Sequence, residues 1–228
     1  MTLRPGGRGS DLSDLHNIAL TPTQVILLNA SILGLILLAL HRAERRLDNG
    51  SHWMMLGILA IFGVSGRILL EPLPNIQPVT VLVLLSGIYY GAPRAFALAG
   101  IIALASNVLV LGHGPWTLFQ VIGWGSVGLA GALLADRLLI DGKLNLNRVA
   151  VVAIAAGFAF DWIVSLSVLL KTDPSMLAPF ILNGLVFDLY HAAGNLVFVA
   201  WMAVPIGEIL ARHRVVPAAE AVSEVAAN

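Results

Sequence analysis

The chain reads EPLPNIQPVT at 71–80, GAPRA at 91–95 and GHGPWTLFQVIGWG at 112–125, with long apolar runs between these stretches. Proline lacks a backbone donor and fixes φ, so the prolines of the first stretch end a helix and leave backbone groups to be satisfied locally. In lipid, such backbone is tolerated only beside protein or water. The region therefore predicts membrane helices joined by turns that line a polar site.

The composition predicts a polytopic membrane protein. Of the 228 residues, 58% are hydrophobic and 11% are charged, against about 25% charged residues in a soluble domain, and the mean hydropathy is +0.87. The formal net charge is zero, so no basic field indicates a nucleic-acid partner. The absence of cysteine excludes disulfides and thiolate sites, and no HExxH-type ligand pair occurs, so we expect neither a metal nor another cofactor.

Apolar runs of membrane length predict an all-α helical bundle with seven spans, since a bilayer core needs about 20 apolar residues per helix. The third run is short and flanked by Pro and Gly, which indicates a tilted or partly unwound helix. Residues 1–23 lack an apolar core and are predicted to be a tail rather than a cleavable signal peptide. Residues 213–228 are predicted to be a second tail. The predicted spans are Gln24–His41, Trp53–Leu70, Pro78–Tyr90, Pro93–Leu111, Trp116–Ala135, Val149–Leu170 and Ala178–Leu210.

Basic residues fall mostly on one side of this scheme. Nine of the 13 Lys and Arg residues lie on the side of the C-terminus and four on the other side. The positive-inside rule makes the first side cytoplasmic, so we expect a plasma-membrane protein with its N-terminus outside and its C-terminus inside. The turns at 71–78, 112–116 and 171–175 then face outward.

Polar residues within the predicted spans gather toward the outer ends of four helices, where they would form a cup roofed by the Pro-rich turns. Gln120 and Trp124 lie four residues apart, on one face of a helix. An Asp inside a span costs about 2.5–3.5 kcal/mol on insertion scales and therefore needs a partner. The candidate solute-binding residues are Asn75, Gln77, Asn107, Trp116, Gln120, Trp124, Asp161, Asn183, Asp188 and His191.

Each candidate also has a structural interpretation. Asn and Gln can join helices by hydrogen bonds worth about 0.6 kcal/mol each. Asp161 or Asp188 could simply pair with His191 or with a backbone group. Trp116 at a membrane boundary suits an interfacial belt. Arg67 and Glu71, four residues apart, could form a surface ion pair.

Two of the turns carry a resemblance to a known family. Residues 74–78 fit a P-N-x-x-P turn, and residues 112–125 fit G-x-G-P-W-T-x-x-Q-x-x-x-W-G. In both motifs the chain resembles the substrate-binding subunit, or S component, of energy-coupling factor (ECF) vitamin transporters.

The resemblance implies a six-helix membrane domain, here at 53–212, preceded by one added span at 24–41. It implies capture of a vitamin or related micronutrient from outside, with a membrane-coupling subunit and two ATPase subunits driving import. The run from Pro74 to Asp136 is most similar to members proposed to take up cobalamin or its precursors, and riboflavin-type and queuosine-type members are alternatives. The chain has no GxxxxGK[ST] phosphate loop, so we expect a binding subunit rather than an enzyme.

Two other classes stay open. Ser126 in a Gly-rich helix and His191 in the last span are distributed as in rhomboid-type intramembrane serine hydrolases. Those enzymes place the serine in G-x-S-G, whereas Val127 follows the serine here. The remaining alternative is a structural membrane protein.

Small residues recur at helical spacing in two predicted spans. The pairs Gly128/Ala132 and Gly131/Ala135 predict close helix packing. In the S-component family an alanine pair on the helix before the P-N-x-x-P turn docks on the coupling subunit. This chain has Gly57, Ala60, Gly63 and Gly66 there instead, which predicts a small, flat surface.

Overall fold

The computed structural model describes residues 51–213 together with positions 21–24, 26–28, 30–31, 34 and 38, and the described positions from 22 to 38 are helical. Most of the predicted tail 1–23, much of the predicted span Gln24–His41 and the tail beyond residue 213 lie outside the described residues. The predictions for those segments stay predictions.

Residues 51–213 fold into helices joined by turns, with one hairpin of two two-residue strands, which confirms an all-α fold for this part of the chain. The helix boundaries lie close to the predicted spans, since the apolar runs end at Gly, Pro and Asn residues. The elements are α1 (Ser51–Leu69), α2 (Val79–Tyr90), α3 (Ala92–Ser106) with a π-helical turn (Asn107–Leu111), α4 (Trp116–Leu133), α5 (Ala135–Leu138), β1 (Leu139–Ile140), β2 (Lys143–Leu144), α6 (Leu146–Ser165) with a 3-10 turn (Leu166–Leu170), a 3-10 turn (Pro174–Met176) and α7 (Leu177–Arg212).

Four helical segments of the described part are long and apolar enough to cross a membrane. They begin at Ala92, Trp116, Leu146 and Pro174, and two shorter apolar helical stretches are Trp53–Leu69 in α1 and Val79–Tyr90, which is α2. Large apolar side chains are exposed along them, such as Trp201 at 68%. An exposed apolar surface of this kind is typical of helices that face lipid.

Helix α2 is the centre of the bundle. All twelve of its residues are buried, and it packs against α1, α3, α4, α6 and α7. Its backbone is a regular α-helix over Val79–Tyr90. The prediction of partial unwinding is therefore wrong for these residues, and the alternative prediction, a tilted helix, remains. The unusual backbone lies in the preceding turn, where Asn75 has φ +58, a conformation that Asn tolerates better than most residues.

Helices α2 and α4 approach closely at glycines. A Cβ atom at Gly87 would meet the carbonyl oxygen of Gly128, and one at Gly131 would meet the carbonyl oxygen of Leu84. Any side chain at these positions would force the helices apart. A Cβ atom at Gly128 would meet Ala95, so the interpretation of the small-residue pairs as internal packing is confirmed for Gly128 and Gly131.

The small-residue face of α1 is largely used inside the bundle. A Cβ atom at Gly63 would meet Ile102, and one at Gly66 would lie 2.5 Å from Cγ of Pro78, whereas one at Gly57 would meet nothing within 4 Å. The small, flat surface predicted for this helix is therefore not available for docking at Gly63 and Gly66. Gly63 and Gly66 have Cβ positions filled by the chain's own helices, and Gly57 alone of the three glycines stays open.

Candidate functional site

A cavity of about 290 Å³ lies at the end of the bundle where α1, α3 and α6 end and α4 and α7 begin. The three turns that the sequence singles out belong to this same end. Its lining mixes amide, charged and aromatic side chains: Arg67, Asn75, Asn107, Leu111, Trp116, Gln120, Phe160, Asp161, Val164, Ser165, Ser167, Val168, Lys171 and Phe180.

Five of the ten predicted solute-binding residues meet at this cavity although they are far apart in sequence. They are Asn75, Asn107, Trp116, Gln120 and Asp161.

Asn107 connects three elements. It begins the π-helical turn after α3, and such turns are often found at functional sites. Its Nδ2 donates to Thr117 Oγ1 at 2.8 Å and to Gln120 Oε1 at 2.6 Å, and its Oδ1 accepts from Arg67 Nη1 at 3.1 Å. With all of these groups satisfied, the amide holds α1, α3 and α4 in register beneath the cavity.

Arg67 is the residue that sequence reasoning misread. It is 3% exposed, and its Nε donates to Gln77 Oε1 at 2.9 Å while Nη1 donates to Ser106 as well as to Asn107. Glu71 is exposed and forms no ion pair with it. The proposed surface pair is therefore wrong, because the last turn of α1 directs Arg67 into the bundle rather than toward solvent.

Trp124 lies behind the cavity rather than on it. It is 1% exposed, and its ring stacks on Phe160 with centroids 4.3 Å apart. Phe160 in turn lines the cavity. Trp124 thus supports the wall instead of presenting its own face to a solute.

A chain of hydrogen bonds runs from the cavity into the core. Asp161 Oδ1 accepts from Asn75 Nδ2 at 3.2 Å and its Oδ2 lies 3.0 Å from His191 Nδ1. His191 Nε2 lies 2.8 Å from Thr80 Oγ1, which accepts from Trp124 Nε1 at 3.1 Å. When Asp161 is ionised it only accepts, so Nδ1 of His191 is the donor to it. In the neutral imidazole with its proton on Nδ1, Nε2 is the acceptor and Thr80 Oγ1 donates to it.

The order hydroxyl, imidazole, carboxylate resembles an acyl-transfer triad, but the burial opposes that use. Thr80 is completely buried and neither it nor His191 lines the cavity, so no substrate carbonyl reaches the hydroxyl. Ser126 is exposed and its Oγ donates to the carbonyl of Ile122 at 2.8 Å. It has no contact with His191, which weakens the hydrolase alternative.

Three other predicted residues do not line the cavity. Gln77 binds Arg67, and Asp188 is buried and accepts from Trp162 Nε1 at 3.0 Å. Asn183 is exposed on α7. These three are placed to support the site or to stand outside it.

His113 lies in the turn before α4. Its Nδ1 lies 3.1 Å from Thr117 Oγ1, and burial lowers the pKa of His113. Burial thus favours the neutral form of the ring.

Sequence reasoning did not select several residues of the site. Arg67, Phe160 and Lys171 line the cavity, and Thr80 links His191 to Trp124. For Arg67 a signal existed, because an Arg inside an apolar run is costly and indicates a function or a buried partner. Phe160 and Thr80 carry no sequence signal that separates them from ordinary core residues.

Within the part of the chain that the structure describes, no group of three or more His, Asp or Glu residues is placed to hold a metal ion. The chain belongs to a family of unknown function, DUF6580, whose match covers residues 47–218. The whole cavity lining falls inside the matched segment. No curated protein and no solved structure matches the chain.

Proposed function

We propose that this member of the DUF6580 family is the substrate-binding subunit of an ECF-type importer, which captures a vitamin or related micronutrient from outside the cell. The observation that carries the proposal is a cavity with both polar and apolar lining residues, at one end of a bundle that includes four membrane-length helices. Asn107, Gln120 and Asp161 reach it from three different helical segments. A structural membrane protein has no need of such a cavity.

The lining has the chemistry of a small-molecule site. Ligand pockets are mostly apolar, with a few polar groups that orient the ligand. Trp116 and Phe160 offer aromatic faces, and Asn75 and Gln120 offer amide groups. Such a set suits an amphipathic solute with a ring system and several hydrogen-bonding groups.

The resemblance in the two turns supports the same function independently of the cavity. The G-x-G-P-W-T-x-x-Q motif contributes Trp116 and Gln120 to the lining, and the P-N-x-x-P turn contributes Asn75. The motif residues and the cavity therefore coincide, although the motifs were identified without reference to any cavity.

The size of the cavity bears on which solute binds. A volume of about 290 Å³ stands at the lower end of the roughly 300–1,000 Å³ found for small-molecule sites. Cobalamin, which together with its precursors is the solute proposed for the most similar family members, is a macrocycle with long side chains and exceeds this volume. The cavity therefore favours a smaller solute, such as a small cobalamin precursor or the solute of the riboflavin-type or queuosine-type alternatives.

Import against a gradient needs partners. The chain has no phosphate-loop motif, so a membrane-coupling subunit and two ATPase subunits supply the energy in this proposal. The architecture is then a six-helix domain at 53–212 with one added span before it, the cavity end outside and the C-terminus in the cytoplasm.

Reconstitution into liposomes tests the proposal. Alone, the purified chain is expected to retain a solute without concentrating it, and with the coupling subunit and ATPases it is expected to accumulate solute only when ATP is present. Accumulation by the chain alone, or turnover of the solute into a product, would reject the assignment.

A further inference from the structure

We propose that the solute carries a carboxylate or phosphate group that binds Arg67 at the buried end of the cavity. The inference rests on the proposed function and narrows its solute to an acidic molecule. It is carried by the charge and the hydrogen bonds of the residues around the cavity.

The contacts of Arg67 leave its charge without a counter-ion. Its hydrogen bonds go to Gln77, Ser106 and Asn107, all neutral, and no carboxylate of the described residues forms an ion pair with it. A buried guanidinium is stable only when an anion or a complete set of acceptors surrounds it. The neutral acceptors meet part of this need.

The geometry leaves donors for a ligand. Nε serves Gln77 and Nη1 serves both Ser106 and Asn107, whereas Nη2 makes no hydrogen bond to any residue that the structure describes. Two N–H donors of Nη2 therefore remain, and Arg67 lines the cavity. Guanidinium groups bind carboxylates and phosphates through such donors, with short charge-assisted bonds.

Asp161, the one acidic residue in the cavity lining, forms no ion pair with Arg67. Both oxygens of Asp161 are engaged, one by Asn75 and the other by His191. Lys171, which is exposed, adds a second cation to the lining. The lining therefore holds more positive than negative charge, which attracts an anion into the cavity.

The test uses simple oxyanions, because they need no knowledge of the natural solute. The full-length protein in detergent is titrated with sodium acetate and with sodium phosphate, against sodium chloride at equal ionic strength and pH. Tryptophan fluorescence and the midpoint of thermal unfolding are recorded. The parent should show a saturable response to acetate or phosphate beyond that to chloride.

Two variants assign the response to Arg67. Arg67→Gln should weaken the apparent affinity at least tenfold, while Arg148→Gln, which removes an exposed cation outside the cavity lining, should leave it unchanged. If Arg67→Gln does not fold, Arg67→Lys keeps the charge without the planar fork and should weaken binding severalfold. If the Arg67 variant that folds binds acetate or phosphate with the same affinity as the parent, the proposal is overturned.

The remaining outcomes are also decisive. A response of the parent protein that follows ionic strength alone would overturn the proposal. Stabilisation by phosphatidylglycerol in mixed micelles, without any response to free acetate or phosphate, would also overturn it, because the site would then hold a lipid headgroup. No coupling subunit takes part in this titration. Oxyanion binding without coupled uptake would therefore reject the proposed function alone, and coupled uptake without oxyanion binding would reject this inference alone.

Discussion

The guanidinium carbon of Arg67 lies 4.9 Å from the centroid of the Trp124 ring. This cation–π contact joins the end of α1 to the middle of α4 in a region where both side chains are buried. Because Trp124 also stacks on Phe160, one indole supports two residues of the cavity wall. Changes at Trp124 should therefore act on the protein's stability first and on the cavity through it.

Trp124→Ala should lower the free energy of unfolding by about 3–5 kcal/mol, since it removes a large buried aromatic side chain. Trp124→Phe keeps a ring for the stack but strands Thr80 without its donor, so we expect a smaller loss of about 1–3 kcal/mol. Denaturation in mixed micelles measures both losses. Trp201→Phe, at a side chain that is 68% exposed, is the matched control with an expected change within about 0.5 kcal/mol, and equal losses for Trp124→Phe and Trp201→Phe would contradict the structure.

The bond between Asp161 and His191 should appear as energetic coupling. Asp161→Asn, His191→Gln and the double variant form a cycle in which we expect an interaction free energy of about 0.5–3 kcal/mol, as for contacting residues in one hydrogen-bond network. Unfolding free energies of the four proteins provide the measurement. A second cycle between Asp161→Asn and Arg148→Gln should be additive within about 0.5 kcal/mol, and additivity in the first cycle too would mean that the two side chains do not interact.

The space around two glycines predicts that their substitutions by Ala change the protein's stability in opposite directions. Gly131→Ala places a methyl group against the carbonyl oxygen of Leu84 and should destabilise the protein by about 1–3 kcal/mol. Gly57→Ala meets nothing within 4 Å and should stabilise α1 by about 0.5–1 kcal/mol. Thermal unfolding of both variants and the parent in the same detergent measures these changes. A Gly131→Ala protein as stable as the parent would rule out the close packing of α2 and α4.

Much of the fold could be predicted from the sequence. Apolar periodicity and helix-ending residues placed α1 to α4 and α6 to α7 within a few residues, because a helix in lipid must satisfy its own backbone and therefore follows the apolar run. The sequence left two alternatives for α2, a tilted helix and a partly unwound one, and the structure excludes the unwound one. A twelve-residue helix is short for a bilayer, and only the surrounding helices, which bury every one of its residues, show why it need not unwind.

The site was predictable only in part. Gln120 and Asn107 stood out because polar side chains are rare in such helices, whereas the position of Trp124 behind the wall depends on helix rotations that sequence spacing does not define. Arg67 was misread because Glu71 is four residues away, and local spacing suggested a partner. The actual partners, Gln77, Ser106 and Asn107, come from the tertiary fold.

Orientation in the membrane can be tested with cysteines, since the chain has none. Lys143 and Ser175 are exposed and lie beyond opposite ends of α6 with its 3-10 turn. In intact cells an impermeant thiol reagent should label Ser175→Cys and spare Lys143→Cys, and both should react after permeabilisation. Labelling of Lys143→Cys alone in intact cells would invert the proposed orientation and put the cavity on the cytoplasmic side.

The central claim, that the cavity holds a small solute, is tested most directly by mass spectrometry of what copurifies with the detergent-solubilised protein. The parent should carry one solute per chain. The Gln120→Ala substitution should lower the affinity for the solute at least tenfold, about 1.4 kcal/mol, so that this variant loses the solute on washing. The Asn183→Ala variant, changed at an exposed site outside the lining, should keep the solute. A parent that carries no solute when purified from cells grown in rich medium, or a Gln120→Ala protein that keeps as much as the parent, would contradict the account.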